Sequence, residues 1–253
     1  MRWLAVVALL ALMGAGKPVR KKEAGGEHIR LETKKGAVHV WIPPGYVSET
    51  AGIALYVHGY YTNVDKAWKE HRLAEQFRAS GRNALFIAPE APDGLGQHVF
   101  WPELGDLLQE VRRQTGLRRP WGPVVAMVHS GGYRTAVGWL ENQDLEQLIL
   151  LDAMYGEEDT FRDWIAAPDS GRQLIVVGAD TLRWTEAFAR EADESGVATV
   201  VREIHAGRFR ERDSSARLVY MRSGLGHMKL VEWGGVIPVL FILSRLPAAE
   251  RAR

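Results

Sequence analysis

Six short apolar runs punctuate the chain: IALYVH at 53–58, ALFIAP at 84–89, PVVAMVH at 123–129, LEQLILLD at 145–152, QLIVVG at 173–178 and ARLVYM at 216–221. The stretches between them, near 66–80, 103–115, 132–141, 159–166 and 182–195, carry apolar residues at helical spacing. A strand that is apolar on successive residues must be covered on both faces, and strands of that kind alternating with helices build a parallel sheet. The pattern therefore predicts an α/β fold with a mostly parallel, doubly wound sheet. Upstream, residues 28–32 and 37–42 alternate around Lys34-Lys35-Gly36 and predict an N-terminal antiparallel hairpin, closed by Pro43-Pro44-Gly45. Near the other end, GGVIPVLFILS (234–244) holds about eleven residues, too few to span a bilayer, and reads as the buried face of a terminal helix.

The first sixteen residues follow a different rule. Arg2 precedes an apolar run from Trp3 to Met13 and the small residues Gly14, Ala15 and Gly16, the layout of a secretory signal peptide with cleavage before Lys17. The run is too short for a stable membrane span. Residues 17–27, opening KPVRKKEAGG, read as a solvated linker, so the folded domain is expected over 28–253. Export to a periplasm or the extracellular space is the resulting expectation. The chain has no cysteine, so stability there rests on the core rather than on disulfides. With 32 basic against 31 acidic residues the formal charge is +1, which offers no footprint for a nucleic-acid partner. The arginines at 208, 210 and 212 read as a solvated excursion.

Chemistry concentrates where the third apolar run ends. Val124 to Val128 lead directly into His129-Ser130-Gly131-Gly132 and then a helical pattern. A serine on a sharp strand-to-helix turn needs small residues around it, and its hydroxyl is presented at the sheet edge. Gly132 meets the demand, whereas Val128 stands where the pattern G-x-S-x-G has its first glycine. Oxyanion stabilisation needs two donors: the N–H of Gly131, and that of Tyr60 in His58-Gly59-Tyr60-Tyr61, directly after the first parallel strand.

On WIPPGY (41–46), HGYY (58–61), HSGG (129–132) and LGHM (225–228) the chain resembles the α/β-hydrolase superfamily, specifically its secreted serine esterases. The resemblance covers nearly all of the chain after the signal and implies Ser130 as nucleophile, His227 as general base and an acyl-enzyme intermediate in ester cleavage, with no cofactor and no metal. It implies a small-molecule or polymeric ester as substrate. His205 competes with His227 but lies outside the loop before the terminal helix; His129 reads as packing, and His39 and His98 as strand or surface residues. The acid is open between Asp152, which ends LILLD, and Asp180, in a turn one residue shorter than the usual G-x-x-D; Asp152 is preferred. Tyr61 and Tyr133 are candidate substrate contacts among the aromatics near these loops, which also include Trp68, Trp101, Tyr155 and Trp184. An amidase or peptidase would use the same triad, a binding module could retain the same fold without catalysis, and a metal site on His58, Asp65 and His71 matches no known ligand spacing.

Overall fold

The four innermost apolar runs become strands buried at nearly every residue: β4 (Gly52–Val57), β5 (Ala84–Pro89), β6 (Val124–His129) and β7 (Leu145–Leu151). They belong to a ten-stranded sheet in the computed structural model, which describes residues 18–167, 171–197, 199–203 and 216–250. The other strands are β1 (Val19–Glu23), β2 (Gly26–Thr33), β3 (Gly36–Ile42), β8 (Gln173–Gly178), β9 (Thr199–Glu203) and β10 (Leu218–Arg222). Spatial order is β1-β2-β3-β5-β4-β6-β7-β8-β10-β9. Pairing is antiparallel from β1 through β3 to β5 and parallel from β5 to β9.

Because side chains alternate along a strand, the sheet divides the core in two. Ile53, Leu55, Val57, Val124, Ala126 and Val128 face one way, toward α3 (Leu104–Thr115), α4 (Tyr133–Trp139), α5 (Glu158–Ala166) and α6 (Leu182–Glu194). Ala54, Tyr56, Val125 and Met127 face the other, toward α1 (Val64–Glu70), α2 (Leu73–Ser80) and the terminal α7 (Ile237–Leu243). On that second face Phe77 of α2 stacks on Phe86 of β5 at 4.5 Å and meets Phe241 of α7 edge-on at 5.0 Å. Each such ring contributes about 1.5–3 kcal/mol by burial, and each aromatic pair about 0.5–1.5 kcal/mol more.

Two strands depart from the sequence reading. Residues 19–23, inside the segment read as a solvated linker over 17–27, form β1 and pair with β2 in register from Val19↔Arg30 to Glu23↔Gly26. An edge strand has one neighbour and keeps its charges in water, so VRKKE carries no hydrophobic pattern to betray it. It is nonetheless tied in: the Trp41 indole N–H donates to Glu23 O at 2.9 Å, and that of Trp68 to Glu23 Oε1 at 3.0 Å. The second is β9, the opposite edge, which pairs in parallel with β10. The signal-like residues 1–16, His205 and the arginines at 208, 210 and 212 lie outside the described residues.

Candidate active site

Parallel strands end together, so the loops that follow β4, β6, β7 and β10 meet along one sheet edge, where open α/β folds assemble their sites. Ser130 follows β6 with φ of +51°, in the left-handed region that a non-glycine residue occupies only when its surroundings impose it. A turn of 3-10 helix over Ser130–Gly132 then leads into α4. The surroundings explain both the motif and its irregularity. A Cβ on Gly132 would stand 2.8 Å from His58 O, and one on Gly59 would stand 2.7 Å from Ser130 Cβ, so the β4 loop and the serine turn touch through glycines. A Cβ on Gly131 would run into the Tyr60 ring. Val128, in the place of the first glycine, is wholly buried in the core beneath α3 to α6, where a branched side chain packs.

The first N–H groups of a helix have no partner within it. The Gly131 N–H stands at the start of this turn, with Tyr60 packed beside it. Tyr60 is fixed in turn: its hydroxyl accepts from Arg134 Nη1 at 3.2 Å, and the same guanidinium donates to the carbonyls of Gly94, Leu95 and Gln97 at 3.0–3.3 Å. His58 is buried below and bridges Gly59 O (2.7 Å) and Glu90 Oε1 (2.8 Å).

The two candidate acids separate cleanly. Asp152 is fully buried with φ of +46°, and its Oδ2 lies 2.6 Å from His227 Nδ1. That oxygen also accepts from the Asp180 N–H at 3.0 Å, while Oδ1 accepts from the N–H groups of Ala179 and Thr181, both at 2.9 Å, and from the Thr181 hydroxyl at 2.6 Å. Burial alone would raise the Asp152 pKa. The hydrogen bonds from His227, Thr181 and Ala179 outweigh it and hold the carboxyl well below the usual carboxylate range. Asp180 gives its main-chain N–H to Asp152, and its own exposed carboxyl stands nearby, within 4.8 Å of the Asp152 oxygen and the His227 ring nitrogen.

His227 opens a short 3-10 turn after β10, with its side chain 20% exposed. Its ring is flanked by two others: His129, centroid at 4.5 Å, and Tyr155, edge-on at 6.4 Å. Tyr155 is a site residue that the sequence marked only as one aromatic among many. Burial, then the charges of Asp152 and Asp180, push its phenol up to about 12. Trp184 lies 6.4 Å beyond it, and both rings are partly exposed. Of the candidate substrate contacts, Tyr61 is 90% exposed beside the site and Tyr133 is half-buried with its hydroxyl beside Gly156.

Among the described residues, Asp152, Asp180 and His227 form the group whose ligand atoms, within 4.8 Å of one another, are near enough to share a cation. The two oxygens of Asp152 already accept five hydrogen bonds, more than the roughly four lone-pair sites of a carboxylate. His58, Asp65 and His71 are not brought into one site: they engage Glu90, Arg30 with His39, and Tyr56 respectively.

No family model matches the chain, and no curated protein matches it. Solved structures do. A fluorophosphonate-binding serine hydrolase of Staphylococcus aureus aligns over 90% of this chain and 100% of its own, with 8% identity and a TM-score of 0.57. A feruloyl esterase module from Clostridium thermocellum, complexed with sinapinate, aligns over 94% and 92% with 12% identity and a TM-score of 0.54. An S-formylglutathione hydrolase from Agrobacterium tumefaciens aligns over 91% and 99%, again with 12% identity, at a TM-score of 0.53. At these identities the likeness is one of fold, and it is the fold of the α/β hydrolases.

Proposed function

We propose that this α/β-hydrolase fold serves a serine hydrolase that cleaves a carboxylic ester through an acyl-enzyme on Ser130. The observation that carries the reading is the 2.6 Å contact between His227 Nδ1 and the buried Asp152 carboxylate, at the same sheet edge as the strained Ser130 turn. An acceptor on Nδ1 holds the proton there and leaves Nε2 as the basic nitrogen, which is the tautomer a general base needs. In the reaction His227 takes the Ser130 hydroxyl proton as Oγ bonds to the ester carbonyl carbon. The oxyanion so formed falls between the N–H groups of Tyr60 and Gly131. Collapse breaks the bond to the alcohol, which leaves with the proton from His227, and a water repeats the sequence on the acyl-enzyme. Two of the neighbours are named for feruloyl esters and S-formylglutathione; Tyr61, Tyr133, Tyr155 and Trp184 would give this site an aromatic rim for the acyl or alcohol group.

A fluorophosphonate probe tests the reading, because it labels an activated serine and leaves a non-catalytic module of the same fold untouched. Wild-type protein is expected to be labelled and to hydrolyse short p-nitrophenyl esters. Ser130→Ala should remain folded, take no label and lose turnover by about a million-fold. Labelling that persists in Ser130→Ala would assign the nucleophile elsewhere.

A further inference from the structure

His129 precedes the nucleophile in the chain, and the sequence offers no reason beyond packing for an imidazole there. The structure gives it a specific neighbour. Its ring lies 4.5 Å from that of His227, centroid to centroid, at a tilt of 34°, while His129 itself is only 2% exposed. Its Nε2 is buried and makes no close hydrogen bond among the described residues, with the His227 main chain near enough to act on the ring's charge. From the other side His71 meets it edge-on at 6.4 Å, and His71 is anchored by the Tyr56 hydroxyl at 3.0 Å from its Nδ1. A series Tyr56, His71, His129, His227 thus runs from the core beneath α1 and α2 to the reacting edge.

One hydrogen bond from Nδ1 to Asp152 leaves the His227 imidazole free to swing about that contact. A flat partner against the ring face removes the freedom. We infer that His129 is a positioning residue for His227: its uncharged ring is the plate that fixes the plane of the base and against which the imidazolium forms. The inference rests on the serine-hydrolase reading for its kinetic meaning, and on geometry alone for the ring contact. The groups facing His129 are His227 with Asp152 behind it, and His71, itself under the influence of Glu232. Burial first, then the neighbouring histidines, hold the His129 ring neutral by pushing its pKa down to about 3, so the forming charge on His227 meets no second cation.

The test compares His129→Ala with His129→Phe, which keeps a flat ring and drops the nitrogens. Four readouts are taken: circular dichroism, kcat and KM on a p-nitrophenyl ester, the rate of fluorophosphonate labelling, and the low-field proton resonance of the His227 Nδ1–H bonded to Asp152. His129→Ala should fold, keep its KM and lose roughly a hundredfold in kcat, the scale of an ångström misplacement, with a parallel loss in labelling rate and a broadened or missing low-field proton. His129→Phe should restore the resonance and most of the rate. Wild-type kcat and resonance in His129→Ala, or a folded His129→Phe as impaired as the alanine variant, would overturn the inference. If the alanine variant does not fold, the wild-type protein still decides: the His129 Cε1–H shift should stay constant down to about pH 5, and a titration above that pH refutes a neutral plate. A wild-type chain that fluorophosphonate leaves unlabelled refutes the function proposed above instead, and the resonance comparison between variants still tests the ring contact.

Discussion

Asp152 concentrates the energetics of the site in one side chain. Its five hydrogen bonds come from four residues, three of them consecutive in the turn at 179–181, and one of the five orients His227. Asp152→Asn retains the size but turns one oxygen into a donor, so it should impose the wrong histidine tautomer and lower kcat by roughly 10⁴-fold. Asp180→Asn should cost about tenfold or less, as expected outside a unit that acts together. Steady-state kinetics on the two variants decides, and equal losses would show that Asp180 shares the role. In the sequence, Asp152 was favoured by the unbroken apolar run that ends in it. What stayed illegible was the reason Asp180 lies where it does: its backbone serves the other carboxylate, and no local pattern in a sequence reports that. Tyr155 and His129 were hidden for the same cause, since each acquires its part from ring contacts made only after β6, β7 and β10 align.

Among elements, the inner strands were plain in sequence because a strand buried on both faces has little choice of residue, while the β1 edge was obscure because it has one neighbour and a wet side. β1 is the instructive case. Four of its five residues are exposed, yet Glu23 at its end receives the Trp68 indole N–H and lies 2.9 Å from buried His28. Glu23→Ala would strand that N–H in a partly buried setting, at a cost of about 1–3 kcal/mol. The urea midpoint should fall accordingly while ester turnover is preserved, since β1 supplies no group to the catalytic edge. An unchanged midpoint would mean that β1 rests on the sheet without stabilising it.

For the molecule as a whole, buried histidines make acid the vulnerable direction. His28 and His71 are pushed down to about 4 and His129 to about 3, in each case chiefly by burial. A depressed folded-state pKa means that, as pH falls below the ordinary value of 6.5, the unfolded chain takes protons first. Stability is therefore full above about pH 6.5 and declines toward pH 4, by up to ~1.4 kcal/mol per pH unit for each such histidine. Asp152, whose pKa is lowered, adds its own loss only below its ordinary value of 3.8. Denaturation curves at pH 7, 5.5 and 4.5 test this, and a constant stability across them would contradict it. The same burial has a consequence over descent. Ser130 and His227 could be lost from a lineage without catalysis at the cost of one of the five hydrogen bonds to Asp152. Asp152 could not, since its carboxylate gathers the main-chain N–H groups of 179–181 just ahead of α6. A silent descendant would keep that aspartate long after its chemistry was gone, so its survival in such a chain would testify to architecture and not to activity.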